Sequence, residues 1–277
     1  MQRIGLVLKR SEDRALLLGE KIVSFLHKSG KEVLLEPSCS ELANKWNAKT
    51  SDKLTDEADL LVVLGGDGTI LRAAALLNSK SMPVLGINLG RVGFMAEVSP
   101  AEAIAELESV MAGTAEFVKR MLLQITLPDG RTRRVLNDVV IHWGGIARLI
   151  DLGLRMGRSR EIELRADGLI VSTPVGSSAY SYAASGPLVH PEIEGILLTP
   201  ICPYAGLKRP LLIPPHLETE LVMKKGKDLI LTLDGHTSVA LEEGQYIRIA
   251  QAPFPFIMVK STARDYFDVL KEKLGLV

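Results

Sequence analysis

The 277-residue sequence has little cysteine, no surplus of either charge and no long uncharged apolar run. Its two cysteines, Cys39 and Cys202, belong to no CxxC pair. Two isolated thiols fit a reducing cytosol, with both acting as packing residues. Lys plus Arg and Asp plus Glu each number 33, so the formal net charge is zero. No positive excess exists to drive salt-dependent binding along a nucleic-acid backbone. No stretch approaches the roughly 18 apolar residues of a membrane span. Met1 to Lys9, apolar first and charged after, has the wrong order and length for a secretory signal. A cytoplasmic protein without nucleic-acid or membrane partners is expected. The Walker pattern GxxxxGK[ST] is missing, His27, His142, His190 and His216 lack metal-ligand spacing, and there is no internal repeat or low-complexity linker.

What is there begins with alternation. Arg3–Leu8, Glu32–Leu35, Asp59–Leu64 and Pro83–Ile87 read as strands. The unbroken run Leu60-Leu61-Val62-Val63-Leu64 suits a parallel strand covered on both faces. Helical spacing of apolar residues fills Glu12–Lys28 and Ile70–Leu77, and Ser99-Pro100-Ala101-Glu102 is a capping-box sequence opening a further helix. This rhythm predicts a doubly wound α/β domain. Past Gly113 short strands and turns take over. Pro128-Asp129-Gly130 between Leu122–Leu127 and Arg133–Val139 reads as a hairpin, and Leu229–Leu233, Tyr246–Ala250 and Pro255–Val259 as strands. A short helix is expected over Ser178–Ser185. Another is expected over Thr262–Leu274, with Tyr266, Phe267, Leu270 and Leu274 on one face and Gly275 as its stop.

The sharpest local signal is Gly65-Gly66-Asp67-Gly68-Thr69, directly after the apolar strand and directly before a helix. Glycines let a backbone approach an anion, and a helix N-terminus offers unpaired N–H donors and a positive dipole end. A carboxylate is unfavourable in a loop that only binds phosphate. It makes sense if it takes a proton from a hydroxyl nucleophile, or helps hold a metal, beside that phosphate. The bland alternative is a turn whose Asp caps the next helix.

Gly-Gly-Asp-Gly-Thr after a buried strand resembles the signature of the NAD kinase family, which is shared with diacylglycerol and sphingosine kinases and, as a variant, with phosphofructokinases. Four more stretches resemble NAD kinase motifs: Gly86-Ile87-Asn88-Leu89-Gly90-Arg91-Val92-Gly93-Phe94, Asn137-Asp138 through His142, Ala166-Asp167-Gly168 through Ser181, and Asp265-Tyr266-Phe267 through Gly275. The likeness runs in order from Ile4 to Leu276. It implies transfer of a phosphoryl group from ATP or polyphosphate to the 2′-hydroxyl of the adenosine ribose of NAD, with Mg²⁺ held through the substrate phosphates. It also implies a homodimer or homotetramer with sites shared across an interface. The architecture implied is an α/β nucleotide-binding domain (1–113 with 258–277) and a β-sandwich-like, β-rich NAD-binding domain (114–257), the C-terminal helix returning to the first.

On this resemblance Asp67 is the general base and Gly68 a backbone contact to the dinucleotide. Arg72, one helical turn on, is placed to return its guanidinium toward phosphates. Asn137 and Asp138 suit sugar and base recognition, since an amide donates and accepts while a carboxylate accepts from vicinal hydroxyls. Asp138 stands where the family has Glu, one methylene longer. Arg148, Arg165 and Asp167 match positions lining the dinucleotide site. So does the segment Ser178, Ala179, Tyr180, Ser181, Tyr182 and Ala183, whose small residues admit a flat ligand and whose Tyr180 ring can stack on a base. Val175 replaces a family Thr and loses a polar group. His236 follows Asp234-Gly235 where the family often has Gln. Trp46 and Trp143 read as packing residues. A lipid kinase and a non-catalytic dinucleotide-binding regulator are the competing readings.

Overall fold

In the N-terminal half, each apolar run is long enough for one buried strand and is followed by residues at helical spacing, so strand and helix alternate. The structure, a computed structural model, describes residues 1–9, 12–77, 81–90, 93–145, 149–226 and 228–275. Strand β1 (Arg3–Leu8) leads to helix α1 (Asp13–Lys28), which buries Ala15, Gly19, Ile22, Val23 and Leu26 along one stripe. There follow β2 (Glu32–Leu35), α2 (Ser40–Lys45), the two-residue β3 (Lys49–Thr50) and α3 (Leu54–Glu57). Strand β4 (Leu60–Leu64) is buried at every position and enters α4 (Asp67–Leu77), followed by β5 (Pro83–Ile87), α5 (Ala103–Ala112) and β6 (Phe117–Arg120). β1 pairs in parallel with both β2 and β4, and β4 with β5. The chain therefore builds outward in opposite directions from the β1–β4 pair. The carboxyl ends of those two strands flank a topological switch point, where open α/β sheets carry ligands.

The second half is antiparallel. The predicted hairpin forms as β7 (Leu123–Thr126) and β8 (Thr132–Val135), with Gly130 at φ +82° in the turn. The expected single strand over Arg133–Val139 is corrected to two. The chain leaves β8 at Val135 and resumes as β9 (Asp138–Trp143) in a different sheet. Next come β10 (Ile150–Met156), β11 (Ile162–Ala166), β12 (Gly168–Ser172), α6 (Tyr180–Ala183), β13 (Ile196–Ile201), β14 (Leu211–Ile213), β15 (Thr219–Lys225), β16 (Leu229–Leu233), β17 (Thr237–Leu241) and β18 (Tyr246–Gln251). The expected helix over Ser178–Ser185 shrinks to a 3-10 turn, Val175–Ser178, and α6. One six-stranded sheet runs β11-β10-β15-β18-β7-β8 and the other β14-β13-β12-β9-β16-β17. Residues of both sheets share one core: Ile125, Leu152, Leu221 and Ile249 from the first, and Val139, Ile141, Val171 and Leu231 from the second. Two sheets closed on one apolar layer make a sandwich.

The chain then returns. Strand β19 (Phe256–Val259) pairs in parallel with β5, completing the seven-stranded order β3-β2-β1-β4-β5-β19-β6. Helix α7 (Tyr266–Leu274) starts at Asp265, which forms a reciprocal capping box with Asp268, and stops at Gly275 with φ +63°. Its apolar face differs from the sequence expectation. Val269 is buried, while Phe267 is 57% exposed and stacks edge-on against Tyr266. Two units result, residues 1–119 with 256–277 and residues 120–255.

Candidate functional site

In the α/β unit the glycine loop leaves the buried β4 with the Gly65 N–H bonded to the Ile87 carbonyl at 3.0 Å. Its glycines do different jobs. A Cβ on Gly65 would collide with the Thr69 side chain, so Gly65 is required for packing. At Gly66 and Gly68 an added Cβ would meet nothing within 4 Å among the described residues, so the backbone there is bare on one side. Asp67 opens α4 and is half-buried. Its carboxylate accepts three backbone N–H groups of the second glycine segment: Phe94 on Oδ2 at 2.9 Å, and Met95 and Ala96 on Oδ1 at 3.1 Å each. A Cβ on Gly93 would overlap that carboxylate, which explains the glycine there. Asn88 ties the same segment from its other end, accepting the Gly90 N–H at 2.9 Å and donating to the Ala96 carbonyl at 3.3 Å. The two glycine motifs are therefore one structure, joined by Asp67.

Arg72 is placed otherwise than its helical spacing suggests. Nη1 donates to both Glu36 oxygens at 2.8 Å and Nη2 to the Leu8 carbonyl at 2.7 Å. A fork satisfied in this way staples α4 to the ends of β1 and β2, and does not turn toward the loop.

The β-rich unit holds a cavity of about 670 Å³ on the face of the β9–β12–β16 sheet that points away from the core. Strand alternation creates it. On β9, Val139 and Ile141 enter the core, and Asp138, Val140 and His142 line the cavity. Thr232 of β16, Ile201 of β13, Tyr180 and Ala179 of the turn into α6, and Asn137, Asp167, Asp234 and Gly235 complete most of the wall. The glycine at 176 lets the 174–177 turn pack directly on Asn137, whose carbonyl a Cβ would strike. Thr173 fixes the same contact, its N–H reaching the Asn137 carbonyl at 2.9 Å and its hydroxyl the Leu136 carbonyl at 2.6 Å.

Asp234 and Asp138 dominate the electrostatics of this cavity. Asp234 and Gly235 take positive φ (+46° and +67°) in a tight turn closed by the His236 N–H on the Leu233 carbonyl. Asp-Gly suits such a turn because both central residues must be left-handed. The turn aims the Asp234 carboxylate at the gap between β8 and β9, where it accepts the N–H groups of Leu136 (2.9 Å), Asn137 (2.8 Å) and Asp138 (3.1 Å). Leu136 and Asn137 lie between β8 and β9, at the crossing where the single predicted strand divides. Burial pushes the Asp138 carboxyl up to about 7, with the Asp234 charge adding to the effect. Burial also raises Asp234, against the pull of its three N–H donors and of His236.

Of the residues singled out from sequence, Asn137, Asp138, Asp167, Ala179 and Tyr180 line this cavity together. Asp67 and Gly68 stand in the other unit, at the loop. Ser181 is wholly buried with its hydroxyl 2.8 Å from that of Thr199, so it serves packing rather than a cavity wall. Ser178 donates to the Val175 carbonyl of its own turn at 3.0 Å. Tyr182, Ala183 and His236 are exposed outside the cavity lining. Arg165 is exposed and lies 3.5 Å from Asp151. Arg148 falls outside the described residues. Sequence reasoning did not single out Val140, His142, Thr232 or Asp234 as site residues, and it read Trp143 as packing. The period-2 alternation from Asp138 would have picked out Val140 and His142. Trp143 packs partly on the core and also lines the cavity.

The ATP-NAD kinase N-terminal domain family matches residues 4–115, and the ATP-NAD kinase C-terminal domain family matches residues 136–261. A protein named NAD kinase from Geotalea daltonii is 38% identical over 280 residues, covering 99% of this chain and 98% of the relative. Another from Geobacter metallireducens is 36% identical over 279 residues, with the same coverage of both chains. Among solved structures, yeast NADH kinase complexed with NADH superposes with a TM-score of 0.92 at 26% identity, covering 100% of this chain and 88% of that one. An NAD kinase from Archaeoglobus fulgidus in complex with ATP gives 0.80 at 28% identity, with both chains fully covered. Matched along nearly its whole length by both domains and by these relatives, the chain belongs to the NAD kinase family.

Proposed function

We propose that this protein transfers the terminal phosphoryl group of ATP to the 2′-hydroxyl of the adenosine ribose of NAD, giving NADP, with Asp67 accepting the hydroxyl proton. The observation that supports the reading is the setting of Asp67. A carboxylate offers about four acceptor positions, and the three N–H bonds from Phe94, Met95 and Ala96 occupy three of them. One position stays available to a sugar hydroxyl. The same three bonds fix the carboxylate, so it is oriented before substrate arrives.

The α/β unit is assigned the nucleotide phosphates. The bare backbone at Gly66 and Gly68 lies at the start of α4, where N–H donors and the dipole favour an anion. NAD is assigned to the cavity of the β-rich unit. There Asn137, Asp138 and Asp167 offer polar contacts, and Tyr180, 48% exposed, offers a ring face. Among the described residues no cluster of three or more His, Cys, Asp or Glu side chains is arranged to hold a metal ion. Mg²⁺ is assigned to the substrate as part of MgATP, its coordination completed by phosphate oxygens and water. Arg72 contributes by holding the strand ends that frame the loop. A homo-oligomer working in the cytoplasm completes the proposal, and no helix among the described residues is long and apolar enough to cross a membrane.

Purified protein incubated with NAD and MgATP should form NADP, and with diacylglycerol or sphingosine vesicles in place of NAD should form no phospholipid. Phosphorylation of the lipid without NADP would replace this reading with a lipid kinase. Tight NAD binding without any product would replace it with a sensor.

A further inference from the structure

Asp138 and Asp234 enclose one end of the NAD cavity, and they are not equivalent. Both Asp234 oxygens are taken by N–H donors, one on Oδ2 and two on Oδ1. Asp138 is 6% exposed, and among the described residues its carboxyl has no hydrogen-bond partner. Two neighbouring carboxylates, Asp138 buried and Asp234 half-buried, resist joint ionisation, and the negative charge settles on the one with N–H donors. Asp234 is that one. The proton settles on Asp138.

The groups around Asp138 do not reverse this. Ser172, its register partner on β12, is neutral, and its buried hydroxyl has no hydrogen-bond partner among the described residues. The 173–178 turn carries no ionisable side chain. His142, Asp167 and Tyr180 line the same cavity, and His236 stands on the turn that carries Asp234. Among these, the neighbouring charge that acts on Asp138 is Asp234, and the charge of His236 is felt at Asp234.

We propose that Asp138 meets the dinucleotide as a neutral carboxylic acid and donates a hydrogen bond to an acceptor atom of NAD, with the pinned charge of Asp234 keeping the proton in place. This deepens the NAD kinase reading and rests on it. A neutral acid supplies one O–H donor and keeps acceptor capacity through its carbonyl oxygen, so it recognises a ring nitrogen, amide oxygen or phosphate oxygen that a carboxylate would repel. Burial of the ligand over Asp138 strengthens the preference for the neutral form.

The test is calorimetric titration of the full-length protein with NAD from pH 6 to pH 8.5, in buffers of differing ionisation enthalpy. Proton uptake on binding above pH 7 is expected, with the NAD dissociation constant rising toward tenfold per pH unit in that range. Asp138→Asn, a permanent neutral donor of the same size, should bind NAD with no proton uptake and a flat pH profile. Proton release, affinity that climbs with pH, or uptake that survives in a folded Asp138→Asn would each overturn the proposal. Should that variant fail to fold, uptake by the parent protein decides, and Asp138→Glu, which keeps the titration, should keep the uptake. NADP formation from NAD and MgATP is assayed alongside. An active kinase with the wrong pH profile removes only the neutral Asp138, whereas no NADP at any pH removes the kinase reading itself.

Discussion

Asp234 accepts the Asn137 backbone N–H at 2.8 Å, although 97 residues separate the two in sequence. The contact holds the chain where it passes from one sheet of the sandwich to the other, and so sets where Asn137 and Asp138 meet the cavity. Asp234→Ala would leave three partly buried N–H groups without an acceptor, and hydrogen bonds to charged groups are worth about 1.5–3 kcal/mol each. The expected result is a KM for NAD raised at least tenfold, with the KM for ATP nearly unchanged. Asp234→Asn, which tolerates the left-handed conformation and keeps one acceptor oxygen, should recover part of the loss. Equal changes in both KM values would show that Asp234 serves general stability alone.

Gly176 touches the same segment from the opposite side. Gly176→Ala places a methyl group on the Asn137 carbonyl. Overpacking of this kind costs about 1–3 kcal/mol. A lower thermal midpoint together with weaker NAD binding is expected, and a variant matching the parent in both would show that the turn is free to move.

The raised Asp138 carboxyl has a consequence for stability. Unfolded, an aspartate gives up its proton near 3.8, and in the fold Asp138 keeps it to about 7. Between those values the folded state holds a proton that the unfolded chain has lost, so stability falls as pH rises through the window and levels off above it. The slope from one such group is about 1.4 kcal/mol per pH unit. Urea midpoints of the parent and Asp138→Asn, compared at pH 5, 6, 7 and 8.5, should diverge in favour of the variant as pH rises and then run parallel. A difference independent of pH would mean that Asp138 ionises in the fold as freely as in the unfolded chain.

Arg72 tests the α/β unit separately. Its double bond to Glu36 and single bond to the Leu8 carbonyl need a planar fork. Arg72→Lys should therefore destabilise about as much as Arg72→Ala, on the order of 2 kcal/mol, as read by denaturant unfolding. Full rescue by lysine would show that charge alone matters at this position.

Local pattern made most of the first unit legible. β1, β2 and β5 coincide with the expected strands because each is a single buried run with a turn at either end. The two-residue β3 carries no such run, and both its residues are exposed. In the sandwich, β10 pairs with the neighbouring β11 but also with the distant β15, and Ile150–Met156 mixes Asp, Gly and Arg with its apolar residues. The break at Leu136–Asn137 was invisible for a similar reason. It is held by Asp234, whose reach to a segment 97 residues away has no local signature in sequence. Within the candidate site, the glycine loop could be read because glycine and Asp67 are chemically conspicuous. The engagement of Arg72 by Glu36 could not, since spacing along a helix says nothing about which strand end lies beneath it.

The central claim is that Asp67 removes the proton from the NAD hydroxyl. Single-turnover formation of NADP, measured with NAD and MgATP both saturating, compares the parent with Asp67→Asn most directly. The variant keeps the size of the side chain and one oxygen for the Phe94–Ala96 segment, so NAD binding measured in parallel should change little while the transfer rate falls at least about a hundredfold. A variant that binds NAD and transfers phosphate at the parent rate would contradict the account.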